Sequence, residues 1–170
     1  MKPILLFALL LCFGVSASAA PLSQYINDPQ TVGNARLEVM FWDIYDAELI
    51  AESGIFVSGE PFALRLTYLR KFKGEDIASR SVDEMRSLGV VDEIKLAKWF
   101  EQMHSIFPDV KSGNSIIGVV DETEFSHFYF DDMKLGRIED PEFSQWFFAI
   151  WLHEKSSEPK MRKELLGLVE

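Results

Sequence analysis

Four side chains in strand-like segments have types and spacings that suit ligand chemistry: Arg36, Tyr45, Arg65 and Tyr68. Arg36 lies in Gly33-Asn34-Ala35-Arg36-Leu37 and Tyr45 in Trp42-Asp43-Ile44-Tyr45-Asp46, while Arg65 and Arg70 flank Thr67 and Tyr68. An arginine projecting from a strand into an apolar cavity is costly unless it meets an anion. A guanidinium fork beside a tyrosine hydroxyl suits a carboxylate or phenolate. The same arginines can instead pair with acids such as Glu38 or Glu48, because the chain carries 27 Asp+Glu against 17 Lys+Arg.

Other chemistries find less support. The three histidines, His104, His127 and His153, lie in different segments, and no pair has the i, i+4 spacing of a helical metal site. Asp131-Asp132 and Asp121-Glu122-x-Glu124 lack the alternating oxygen ligands and central glycine of a calcium loop and read as solvated turns. No serine stands in a G-x-S-x-G elbow, and Gly113, Gly118 and Gly136 form neither a dinucleotide fingerprint nor a phosphate loop. No catalytic residue is assigned, and neither a metal nor a cofactor is implied. A net charge of −10 opposes nucleic acid and anionic membrane surfaces. The aromatic run Phe125-x-x-Phe128-Tyr129-Phe130 therefore reads as a buried strand rather than a base-stacking platform.

The elements that must position these residues follow from periodicity. Residues 1–19 read as a cleaved signal peptide: Lys2, an apolar run from Ile4 to Val15, and an A-x-A pattern at Ala17-Ser18-Ala19. The run is too short to span a bilayer, which needs about 20 residues. Cleavage removes Cys12, the only cysteine, and implies a periplasmic or secreted protein without disulfides. Residues 20–31 read as an extended lead-in and residues 32–170 as one domain.

Leu37, Val39 and Phe41 alternate with Arg36, Glu38 and Met40, and Trp42 and Ile44 alternate with Asp43 and Tyr45, giving one bent strand or a tight hairpin. A short strand is expected at Ile55–Val57 and another over Phe62–Leu69, with Phe62, Leu64, Leu66 and Tyr68 on one face and Arg65 and Thr67 on the other. Helices follow over Glu75–Leu88 and from an Asp92 cap to Phe107, then strands at Ser115–Val120, Phe125–Phe130 and Leu135–Ile138. Asp140-Pro141 opens a third helix whose Phe143, Trp146, Phe147, Ile150 and Trp151 form an apolar stripe, and Ser157 is read as the cap of a short last helix. The order strands, two helices, strands, two helices predicts an α+β domain with an antiparallel sheet covered on one face by helices.

Several blocks resemble the bacterial branch of the chalcone isomerase-like family. They are Val32-Gly33-x-Ala35-Arg36-Leu37 with Phe41-Trp42-Asp43-Ile44-Tyr45-Asp46-Ala47, and Phe62-Ala63-Leu64-Arg65-Leu66-x-Tyr68 through Phe72-Lys73-Gly74-Glu75-Asp76-Ile77-Ala78. Ile106-Phe107-Pro108-Asp109-Val110-Lys111-x-Gly113 and Asp140-Pro141-x-Phe143 through Leu152 are similar to the same family. The resemblance covers nearly all of residues 32–167 and implies an open-faced sandwich. It also implies a sheet–helix cleft in which an early arginine meets an anionic ligand end. Arg36 matches that arginine, and Tyr45 matches a position that is Thr in the isomerases and Tyr in the fatty-acid binders. The Tyr and Asn on the first helix of the isomerases fall at about Ile77 and Glu84, neither of which can orient water or polarise a carbonyl in the same way.

The expected function is therefore non-catalytic binding of a small apolar molecule with an anionic head, such as a fatty acid. The alternatives are a cofactor-independent isomerase or intramolecular lyase acting on an enone, and a structural or partner-binding domain with a filled core.

Overall fold

The computed structural model describes residues 22–168; the expected leader over residues 1–19 lies outside them. Six strands form a single sheet in chain order, each antiparallel to the next: β1 (Pro29–Val39), β2 (Trp42–Glu52), β3 (Phe62–Tyr68), β4 (Ser115–Val120), β5 (Ser126–Phe130) and β6 (Met133–Ile138). Helices α1 (Gly74–Leu88) and α2 (Glu93–Ile106) connect β3 to β4, and α3 (Pro141–Leu152) and α4 (Pro159–Leu165) follow β6. The α+β open-faced architecture expected from the sequence is the one observed.

The helix starts follow their local chemistry. The Asp92 side chain accepts from the Lys95 N–H at 3.0 Å, and Asp140 accepts from the N–H groups of Glu142 and Phe143, with Pro141 in the first turn. The expected Ser157 cap is corrected. The residue before α4 is Glu158, which makes no side-chain cap, and Ser157 instead donates to Glu84 Oε2 at 2.9 Å.

Two corrections concern the strands. No strand forms at Ile55–Val57; that segment is irregular, with Phe56 packed edge-on against Phe62 at 5.2 Å while Ile55 and Val57 are exposed. The lead-in is not extended throughout. Leu22–Gln24 make a 3-10 turn, and β1 already begins at Pro29.

The sheet has two unlike faces. On one, Leu49, Leu64, Phe128 and Ile138 pack under the helices with Met85, Trp99, Phe143 and Leu165 in the main core. On the other, Ile50, Ala63, Ile117, Val119 and Tyr129 form a small second core covered by Leu22 and Ile26. The Tyr25 and Tyr129 hydroxyls, 2.8 Å apart, tie the lead-in to this back face.

Residues 32–52 form a hairpin, not one bent strand. Val39 pairs with Trp42, and both intervening residues have positive φ, 48° at Met40 and 73° at Phe41. Further down the hairpin Leu37 pairs with Tyr45 and Glu38 with Asp43, so Ile44 is the extra residue of a β-bulge. Gly33 brings α4 onto this hairpin. A Cβ built there would lie 2.2 Å from the Glu164 carbonyl oxygen and 2.6 Å from that of Leu165.

Candidate functional site

A cavity of about 470 Å³ opens between the sheet and the helices. The alternative of a filled core without a cleft does not fit this cavity. Leu37, Ile44, Tyr45, Leu66 and Tyr68 form the sheet wall, Phe72, Ile77 and Phe107 continue it, and Phe147, Ile150 and Trp151 of α3 close the far side. The lining is mainly apolar, and the volume lies within the few hundred to a thousand Å³ usual for small-molecule sites.

Strand register puts the two tyrosines there. Tyr45 pairs with Leu37 on one side and Tyr68 on the other, so all three point under the helices. The bulge at Ile44 lets neighbouring Ile44 and Tyr45 both border the cavity, where simple alternation sets them on opposite faces. The Tyr45 and Tyr68 rings meet edge-on at 6.0 Å. Trp151 Nε1 donates to the Tyr45 hydroxyl at 2.9 Å, which leaves the hydroxyl's own proton available. Burial pushes the Tyr45 phenol up to about 12, against the opposing effect of the Trp151 hydrogen bond. Burial pushes Tyr68 higher still, helped by Tyr45. Both phenols therefore keep their protons at neutral pH.

Arg36 and Arg65 are elsewhere, and the expectation that Arg36 meets an anion in the cleft is corrected. Arg36 pairs with Asp46 across the ladder, one residue out of step with the Leu37–Tyr45 rung, and so projects from the back face. Its guanidinium binds Asp46 at 2.6 and 3.0 Å and Asp43 at 3.1 Å. Arg65 shares that face, paired with Glu48 at 2.5 Å beside a shallow polar depression. Both arginines already hold carboxylates, so neither is an unmet charge.

The cation at the cleft is Arg80 of α1. It pairs with Glu84 one turn on, whose other oxygen accepts from Ser157. Asp76, Ser81 and Glu158 complete the polar edge. Glu84 is buried, whereas the Arg80 side chain is 73% exposed. The sequence signal for this set is a second stripe on α1, Ile77-Arg80-Ser81-Glu84 at i, i+3, i+4 and i+7, beside the core stripe Ala78-Val82-Met85. Among the described residues, no group of three or more His, Cys, Asp or Glu side chains is placed to hold a metal ion.

The profile of the chalcone isomerase-like family matches residues 37–167. The chain belongs to that family. The resemblance read from the sequence blocks is confirmed by this match. An uncharacterised protein of Haemophilus influenzae is 29% identical over 151 residues, spanning 88% of this chalcone isomerase-like chain and 72% of that protein. Among solved structures, an Arabidopsis thaliana fatty-acid binding protein superposes with a TM-score of 0.64 at 10% identity, over 82% of this chain and 87% of that one. At so low an identity the likeness carries the chalcone isomerase-like fold alone.

Proposed function

We propose that this protein binds a small apolar molecule with a polar head, of the fatty-acid type, in the sheet–helix cavity and does no chemistry on it. One observation carries the reading. A mostly apolar cavity of about 470 Å³ carries two tyrosine hydroxyls on its sheet wall and a polar edge whose one cation, among the described residues, is Arg80, paired with Glu84 beside Asp76, Ser81, Ser157 and Glu158. The apolar wall takes the chain of the ligand, with a gain of roughly 0.8 kcal/mol per buried methylene. Tyr45 donates to a head-group oxygen, and Arg80 meets an anionic head by exchanging Glu84 for it. A structural neighbour named as a fatty-acid binding protein supports a ligand of this type.

Binding is favoured over catalysis by the same groups. A phenol held near 12 gives up its proton poorly at neutral pH, so Tyr45 serves as a donor rather than a general base. Ile77, at the cleft wall, offers neither hydroxyl nor amide to organise water. The reading includes export: the A-x-A pattern at Ala17-Ser18-Ala19 supports removal of residues 1–19, and the mass of the protein recovered from cells reads it directly.

Native mass spectrometry of protein purified from cells, followed by thermal shifts with C12 to C18 fatty acids, tests the proposal. A co-purifying lipid, or a rise in melting temperature that saturates with added fatty acid and is lost in Leu37→Trp, supports it. Absence of both in the wild type overturns it.

A further inference from the structure

The β1–β2 hairpin ends in an apolar tip that the cavity does not account for. Val39, Met40, Phe41 and Trp42 are 46%, 82%, 103% and 57% exposed, so four large apolar side chains in a row stand in solvent. The two central residues both have positive φ, the geometry of a turn that favours Asn-Gly, and bulky residues there are strained. The Arg70 guanidinium lies 3.9 Å over the Trp42 ring, and Arg70, Lys71 and Lys73 make the adjoining segment basic. Of the acids at this end, Asp43 is already engaged by Arg36, which leaves Glu38 on the tip.

We infer that this tip is a docking point for a zwitterionic phospholipid surface, since the net charge of −10 opposes an anionic one. A tryptophan with an arginine stacked on it is suited to the interfacial layer, where the ring is half in hydrocarbon and the charge reaches the head groups. Met40 and Phe41, which extend furthest, enter the acyl region, and the basic segment faces lipid phosphates. A protein partner or a second copy fits less well. A stable interface needs about 800 Å² from each side, and a convex two-residue turn with four side chains presents far less. A lipid surface asks for no complementary shape. The tip is also continuous with the cleft, because Val39 belongs to both and Ile44 follows it on the cavity wall. An insoluble ligand thus has an apolar path between membrane and cavity. Docking itself does not depend on the cavity being filled.

The test uses protein as cells leave it and vesicles of phosphatidylcholine brominated on the acyl chains, with and without phosphatidylglycerol. Quenching of Trp42 is read as the difference between wild type and Trp42→Phe. The expected result is quenching of the Trp42 component and at least about a tenfold loss of vesicle affinity in the Met40→Asn/Phe41→Gly double variant. That variant installs the pair the turn prefers, so its melting temperature stays equal or rises, and lost binding is not lost folding. Unquenched Trp42 in the wild type, or equal quenching in the double variant, overturns the inference. A wild-type dimer in sedimentation velocity that the double variant dissociates also overturns it, in favour of a second copy. Fatty-acid binding is measured separately, so failure of docking leaves the cavity reading standing and the reverse.

Discussion

Trp151 on α3 donates its indole N–H to the Tyr45 hydroxyl on β2 at 2.9 Å, so the far wall of the cavity and its sheet floor are joined by one hydrogen bond. The residues lie 106 positions apart in sequence. The bond fixes the direction of the Tyr45 hydroxyl and leaves that hydroxyl's own proton unused by Trp151.

Tyr45→Phe removes the acceptor and leaves the Trp151 N–H buried without a partner. The expected cost is about 1–3 kcal/mol of stability, read from urea unfolding followed by tryptophan fluorescence. Fatty-acid affinity falls as well, while a plain alkane of equal length binds the variant as it binds the wild type.

Arg36→Ala leaves fatty-acid affinity within about twofold, because the guanidinium is on the opposite face with Asp43 and Asp46. Arg80→Ala weakens a carboxylate ligand by about tenfold or more, the scale of a lost charge-assisted hydrogen bond. Isothermal titration of both variants with one fatty acid compares them; the reverse ranking sinks the assignment of Arg80.

Glu84→Gln reads the charge of the ligand head. Glu84 competes for Arg80, so a carboxylate ligand binds the variant more tightly than the wild type. A head group that donates hydrogen bonds or carries positive charge binds it less tightly. Titration with a fatty acid and with the matching fatty amine gives the sign.

Gly33→Ala forces a methyl group into the Glu164 and Leu165 carbonyls, which are backbone atoms and can yield only if α4 moves. A loss on the order of 3–5 kcal/mol is expected, in the range of severe packing faults. The urea midpoint measures it, and faster proteolysis within residues 159–168 locates the displaced helix.

Acid stability has a defined limb. Burial alone raises the Asp121 carboxyl, but hydrogen bonds from Thr123, from His127 at 2.6 Å and from the backbone of Phe125 and Thr123 outweigh it and hold the group at about 2. A folded value below the ordinary range near 4 means that the stabilisation is present above about pH 4 and is lost as pH falls toward 2. Asp140 is lowered in the same sense: burial opposes, and the Trp99 indole and the first-turn N–H groups of α3 prevail. The urea midpoint of the wild type drops across that window, and Asp121→Asn shows a shallower drop from a lower starting stability.

The alternation in the chain settled a good part of this protein. Leu64, Leu66 and Tyr68 share one face and Arg65 and Thr67 the other, because successive strand residues point to opposite sides, and the observed register agrees. The apolar stripe Phe143-Trp146-Phe147-Ile150-Trp151 and the caps at Asp92 and Asp140 placed two helices for equally local reasons. Which charged residue meets the cavity was not local. Arg36 and Arg65 looked suited to an anion, but cross-strand pairing gave each an acid on the back face, and pairing depends on register between distant segments. The bulge at Ile44 turned Tyr45 toward the helices, and it arises where two strands of unequal count must pair. Arg80 and Glu84 came to the cavity through the rotation of α1, which is set by how Ala78, Val82 and Met85 pack. Periodicity names the face a residue shares; only the packing of sheet against helices decides what that face encloses.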